Sequence, residues 1–266
     1  MHWVVLLIAL VLASPVGADD SRPSGLIRLA TGDDSRGWEA VGRLDIARRS
    51  FCTGALIAPD LVLTAAHCLY DRKTGTRIPP ETMQFLAGWR DGRAEAYRGI
   101  RRAVSHPDYD FGGAHDLARV AADLALLQLD RPIRLPNIRP YEIAGRLARG
   151  QQVGVVSYAE HRSEAPSLQE VCHVLQRSAG VVMLSCSVDF GASGSPIFVS
   201  GPGGPRIASV ISAMAQADGA PVALAGELHG TLDTLRKRLE PEIRPLGSRS
   251  MGEPGTAGGG ARFLRP

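Results

Sequence analysis

The segment Phe190-Gly191-Ala192-Ser193-Gly194-Ser195-Pro196 sets a serine between two glycines. A serine hydroxyl is a weak nucleophile at neutral pH, so a chain that uses one must supply a nearby base and backbone N–H groups aimed at the developing oxyanion. Glycine provides that backbone. Gly191 can take dihedrals closed to other residues and turn its own N–H and that of Ser193 toward one point, while Gly194 leaves a substrate room to approach. Such loops are common, so this one needs partners elsewhere. His67 stands directly before a cysteine in Thr64-Ala65-Ala66-His67-Cys68, after the apolar run Leu61-Val62-Leu63. Asp123 heads a second apolar run, Leu124-Ala125-Leu126-Leu127-Gln128-Leu129. Burying a carboxylate is costly unless it is hydrogen-bonded or paired, and an imidazole that becomes cationic during general-base catalysis is a suitable partner. Asp116 is the rival carboxylate, although Leu117-Ala118-Arg119-Val120 after it is less continuous.

The chain that must position these groups has 266 residues and 44% hydrophobic content, enough for one substantial core or two small ones and too apolar for disorder throughout. Thirty basic and 27 acidic residues give a net charge of +3. The basic clusters are short, as in Arg101-Arg102 and Arg236-Lys237-Arg238, and no basic stripe with interleaved aromatics argues for nucleic-acid binding. Val4 to Ala13 is an unbroken apolar run followed by Ser14-Pro15 and Val16-Gly17-Ala18. This reads as a signal peptide over 1–18, cut after Ala18 and too short to span a bilayer. The amino-terminal region offers only the terminal amine and His2, so an uncleaved anchor is the alternative. The expected location is secreted or periplasmic, with no stable membrane association after signal removal.

Export permits disulfides, and the even set Cys52, Cys68, Cys172 and Cys186 fits two bridges, with three pairings open. A zinc site would want a Cys-x-x-Cys knuckle, which is absent, and the neighbouring pairs are 16 and 14 positions apart. No metal or other cofactor is expected.

Along the chain, 19–36 is polar with Gly, Pro and Ser and reads as a flexible leader or propeptide. Short apolar runs separated by turns then give strands near 40–44, 51–57, 61–64, 82–88, 95–104 and 122–130. The proline-spaced segment Arg131 to Pro140 cannot be a central strand and reads as a crossover. Strands resume at 152–158, followed by a loop over 160–166, and at 169–175, 181–186, 197–199 and 207–212. A hairpin joining Cys172 to Cys186 is the simplest use of the second cysteine pair. Leu224, Leu228, Leu232, Leu235 and Leu239 recur at helical spacing and predict one amphipathic helix from 224 to 239. The Pro- and Gly-rich tail 241–266 is expected to be disordered.

Cys52-Thr53-Gly54-Ala55-Leu56-Ile57 followed by Leu61-Val62-Leu63-Thr64-Ala65-Ala66-His67-Cys68 resembles the first half of the trypsin-like, chymotrypsin-fold serine peptidases. Ser105-His106-Pro107-Asp108-Tyr109 and the Asp-x-Ala-Leu-Leu strand at Asp123 resemble that family too. The resemblance covers about 38 to 240 and implies an all-β fold of two six-stranded antiparallel barrels, 37–130 and 146–240, joined by a linker at 131–145 and closed by a carboxy-terminal helix. It implies a Cys52–Cys68 bridge and a catalytic triad of His67, Asp123 and Ser193, with the N–H groups of Gly191 and Ser193 as oxyanion hole. Ser187, Ser212, Ala213 and Met214 are expected in the substrate pocket. The implied activity is that of a secreted serine endopeptidase forming an acyl-enzyme, monomeric, acting on peptides or proteins.

Two features depart from the animal digestive members. Ala192 replaces the aspartate that pairs with a new amino terminus, which removes activation through that ion pair, and Ser187 replaces the aspartate that selects Lys or Arg, although Asp189 is close enough to leave that preference open. The Gly-x-Ser-Gly-Ser-Pro form resembles instead the secreted bacterial branch that includes glutamyl endopeptidases. Two other readings compete. An α/β-hydrolase esterase would use Ser193, Asp218 or Asp233, and His229, but needs Gly-x-Ser-x-Gly where this motif ends in Ser195. A catalytically silent relative acting as a secreted binding protein would keep the fold with a blocked pocket.

Overall fold

Short runs rich in Val, Ile and Leu, bounded by Gly, Pro and Asp turns, form 13 strands across residues 25–240, the part of the chain that this computed structural model describes. The expected signal segment 1–18, residues 19–24 of the expected leader and the tail 241–266 lie outside the described residues. β1 (Ile27–Arg28) is followed by β2 (Val41–Ile46), β3 (Ser50–Ala58), β4 (Leu61–Thr64), β5 (Met83–Ala87), β6 (Ala96–Ser105) and β7 (Ala125–Leu129). β2 to β7 close into an antiparallel barrel in the order β2-β3-β4-β7-β6-β5. Its interior is apolar, with Val41, Leu44, Leu56, Leu63, Phe85 and Leu126 fully buried.

The second half contains β8 (Gln152–Ala159), β9 (Arg162–Ser178), β10 (Val181–Leu184), β11 (Pro196–Val199), β12 (Arg206–Ala217) and β13 (Ala220–Glu227). These run β9-β10-β13-β12-β11-β8, and the pairing of β8 with β9 closes them into a second barrel. The expected pair of six-stranded barrels is therefore present. Between β6 and β7 the chain also forms a short helix, α1 (Leu117–Ala121), and after β13 a terminal helix, α2 (Thr231–Leu239).

Three sequence expectations change. The leader does not stay free along its whole length: β1 adds to the edge of β9 through Ile27 opposite Leu168 and Arg28 opposite Ser167, and Leu29 is buried. Residues 162–166, read as loop, are the start of β9, so the connection from β8 is a tight turn. The leucine run from 224 to 239 is not one helix. Leu224 belongs to β13, whose backbone is taken up on both sides by β10 and β12, and Gly230, at φ 82°, breaks the chain before α2. Leu228, Leu232, Leu235 and Leu239 are nevertheless buried, so the periodicity reported burial correctly and backbone conformation only from Thr231 onward.

Candidate active site

β4 ends at Thr64, and the chain then makes a single 3-10 turn, Ala66–Leu69, that carries His67. The Cys52–Cys68 disulfide, with Cα atoms 6.3 Å apart, ties this turn to β3. Asp123 lies between α1 and β7, and its side chain is almost fully buried. Three donors satisfy it. The His67 backbone N–H donates to Oδ1 at 2.8 Å, His67 Nδ1 lies 2.7 Å from Oδ2, and the Ser212 hydroxyl donates to Oδ2 at 2.5 Å. A buried carboxylate that accepts from Nδ1 fixes the imidazole tautomer, with the proton on Nδ1 and Nε2 facing away from it. Asp116 is not involved: its Oδ1 accepts the Arg119 backbone N–H at 3.0 Å as the amino-terminal cap of α1.

The Ser193 loop between β10 and β11 is held from the other barrel. Thr53 on β3, fully buried, donates its N–H to Ser193 O at 2.9 Å and its hydroxyl to Gly191 O at 3.1 Å. On the loop's own barrel, Gly194 N–H donates to Ile211 O at 2.7 Å. Gly191 and Gly194 both have positive φ, 92° and 77°, as expected for Gly191, whereas Gly194, expected to leave room for a substrate, is small because Thr64, Thr53 O and Ala65 N of the first barrel crowd it. The N–H groups of Gly191 and Ser193 have no acceptor among the described residues, as donors kept for an oxyanion require.

His67, Asp123 and Ser193 line one cleft of about 810 Å³ between the barrels. The Ser193 hydroxyl makes no hydrogen bond to His67 here, and such contacts commonly tighten only when substrate binds. Ser212, Ala213 and Met214 line the cleft as expected. Ser187 does not: it is exposed, and its N–H donates to Gln169 Oε1 at 2.8 Å. Val188, Ile211 and Leu224 supply the wall instead. Val188 is adjacent to the residue that was expected, but Leu224 was hidden by its reading as helix. The second disulfide, Cys172–Cys186, joins β9 to the segment after β10 with Cα atoms 5.1 Å apart. The esterase arrangement finds no support, because His229 and Asp233 line a different cavity that Ser193 does not reach.

One formal charge enters the second-barrel side of the cleft. Asp189 accepts the Phe190 N–H at 2.7 Å and faces Arg162, whose own pKa burial pulls down while the Asp189 charge pulls it up.

Comparison with known proteins places these observations. The chain is 39% identical over 94 residues to the modular serine protease of Drosophila melanogaster, which covers 34% of this chain and 15% of that protein. It is 30% identical over 160 residues to human kallikrein-15, covering 58% and 55%, and 27% identical over 167 residues to the vitellin-degrading protease of Bombyx mori, covering 60% and 52%. The chain thus spans at most a little over half the length of these relatives. A glutamyl endopeptidase solved in complex with MPD superposes with a TM-score of 0.66 over 80% of this chain and 96% of that one, at 17% identity, a likeness of fold. The trypsin family model matches residues 33–222, from the turns before β2 into β13, and the chain belongs to the trypsin family.

Proposed function

We propose that this protein is a secreted serine endopeptidase that cleaves peptide bonds through an acyl-enzyme on Ser193. The observation that carries the reading is the double hydrogen bond from His67 to the buried Asp123 in the cleft that also holds Ser193. In this reading His67 Nε2 takes the Ser193 proton as the hydroxyl oxygen attacks the carbonyl carbon. The N–H groups of Gly191 and Ser193 receive the oxyanion, and His67 returns the proton to the departing amine. Water, deprotonated by the same imidazole, then releases the acid and restores Ser193. Two disulfides agree with an oxidising compartment.

Substrate can bind as an added strand. β12 pairs with β11 only as far as Val210, so from Ala213 to Ala215 it is paired with β13 on one side and its other edge is open beside the cleft. The pocket next to that edge is lined by Val188, Ile211, Ala213, Met214 and Leu224. With Asp189 facing Arg162, an uncharged apolar side chain before the scissile bond is favoured. Peptides with Leu, Met or Phe there should turn over about tenfold or more faster, in kcat/KM, than peptides with Lys or Glu, because an unpaired charge pays for desolvation in an apolar pocket. Equal or better cleavage after Lys would assign Asp189 as a counter-ion and reject this preference.

A fluorophosphonate probe tests the chemistry itself. Wild-type protein should label on Ser193 and lose both labelling and peptide cleavage when Ser193 is replaced by Ala. A folded protein that neither labels nor cleaves is the silent binding relative instead.

A further inference from the structure

The cleft has two unlike walls. The β12–β13 side is apolar, whereas the side formed by α1 and the segment before it carries Arg119. This arginine is half-buried, and its guanidinium lies 5.9 Å from the Tyr109 ring centroid and 5.4 Å from that of Phe111. Its Nη1 donates to Gly113 O at 3.3 Å and lies 3.2 Å from Nδ1 of His115. No carboxylate pairs with it among the described residues. Asp116 spends an oxygen on the backbone N–H of α1, and Asp123 is taken up by His67 and Ser212. Burial raises the pKa of the Tyr109 hydroxyl beside it, with Arg119 pulling the other way, so the ring supports the cation without offering a counter-charge.

A guanidinium already ordered by stacking has less freedom to lose on binding, and its remaining donors match the two oxygens of a carboxylate. Its place along the substrate follows from how α1 is seated. A Cβ on Gly226 of β13 would come within 2.9 Å of Ala121 O and 3.0 Å of Val120 O, so the helix backbone lies directly on β13, on the far side of β12 from its open edge, while Leu117, Arg119 and Val120 line the same cleft as Ala213, Met214 and Ala215 of that edge. α1 therefore borders the part of the peptide that precedes the bond to be cut.

We infer that Arg119 is a specificity residue that selects an acidic side chain, Asp or Glu, on the amino-terminal side of the scissile bond. At the ~3.3 Å rise of an extended chain, the contact falls about two to four residues before that bond. The inference rests on the peptidase reading above for its direction along the substrate, and it concerns a different wall of the cleft from the apolar pocket.

Matched peptides that share an apolar residue before the cleaved bond, and carry Glu or Gln at each of these earlier positions in turn, test it. The ratio of kcat/KM for Glu over Gln should reach about tenfold at one position, as expected for one charge-assisted pair in a partly buried site, and should fall as salt rises. Arg119→Met should bring that ratio to about one, and Arg119→Lys should leave part of it. Arg119→Glu should reverse it in favour of a Lys peptide at the same position, a gain that misfolding cannot produce. A wild-type ratio near one at every position, or a preference that survives Arg119→Met, overturns the inference while leaving the peptidase reading intact. Binding of the same peptides to Ser193→Ala separates the two ideas in the other direction. Tighter binding of the Glu peptide that depends on Arg119 would sustain the inference even if wild-type protein cleaved nothing, and equal binding would reject it.

Discussion

Asp123→Asn should lower kcat on a peptide substrate by about 10⁴, the loss expected when a histidine base is held in the wrong tautomer. The carboxylate accepts from the His67 N–H, His67 Nδ1 and the Ser212 hydroxyl at once. An asparagine presents one accepting oxygen and one donating amide. If the oxygen keeps the His67 backbone bond, the amide faces Nδ1, which must then accept, and the proton moves to Nε2, where the base is needed. Binding of substrate is touched much less, so the loss belongs in kcat and not in KM. A thermal melt should accompany the kinetics. A folded Asp123→Asn protein with kcat within tenfold of wild type would remove Asp123 from the machinery and leave the position of His67 as a feature of packing alone.

The second large effect is on folding. Gly194→Ala should destabilise the protein by about 3 kcal/mol or more, lowering Tm by about 10 °C for a domain of this size. An added Cβ would lie 2.2 Å from Thr64 Oγ1, 2.3 Å from Thr53 O and 2.9 Å from Ala65 N, and two of those three atoms are backbone. The residue is also at φ 77°, which disfavours any L side chain by about 1 kcal/mol or more. The clash lies where the nucleophile loop meets β3 and β4, so the loop cannot move aside without giving up the Thr53 hydrogen bond to Ser193. Gly203→Ala is the matched comparison, because nothing lies within 4 Å of its added Cβ. Calorimetric melts of the two variants should differ by most of that 10 °C, and equal melts would show that the seam has slack.

What could be read from the sequence was local, and what could not was made by pairing at a distance. The strands of the first barrel follow short apolar runs closely, as at Leu61–Thr64, since each is bounded by its own turn residues. The positive φ of Gly191 was legible because glycine suits it best, but that of Gly194, and its packing on Thr53 and Thr64, was not. β13 was not legible, because an Ala- and Leu-containing segment has no strong preference of its own and becomes a strand only through β10 and β12. The same reason hid Leu224 from the list of pocket residues, whereas Ser187 was expected there from the position of the family's aspartate, and its neighbour Val188 lines the cleft instead. Asp116 and Asp123 illustrate the reverse case. Both stand before apolar residues, and the better strand pattern after Asp123 separated the buried carboxylate from the helix cap. Ser212 was expected only as a wall, and its hydrogen bond to Asp123 had no local signal, since the partners are 89 residues apart.

The two barrels are stitched reciprocally. Thr53 of the first holds the loop that carries Ser193 of the second, and Ser212 of the second holds the carboxylate that orients His67 of the first. Neither half, severed at the linker, would own a competent constellation, and a lone second barrel would carry a serine no more reactive than one in a free peptide. On the proposed peptidase reading, reactivity is a property of the joint, so any influence that hinges the halves apart by the length of a single hydrogen bond would silence the protein while each half stayed folded.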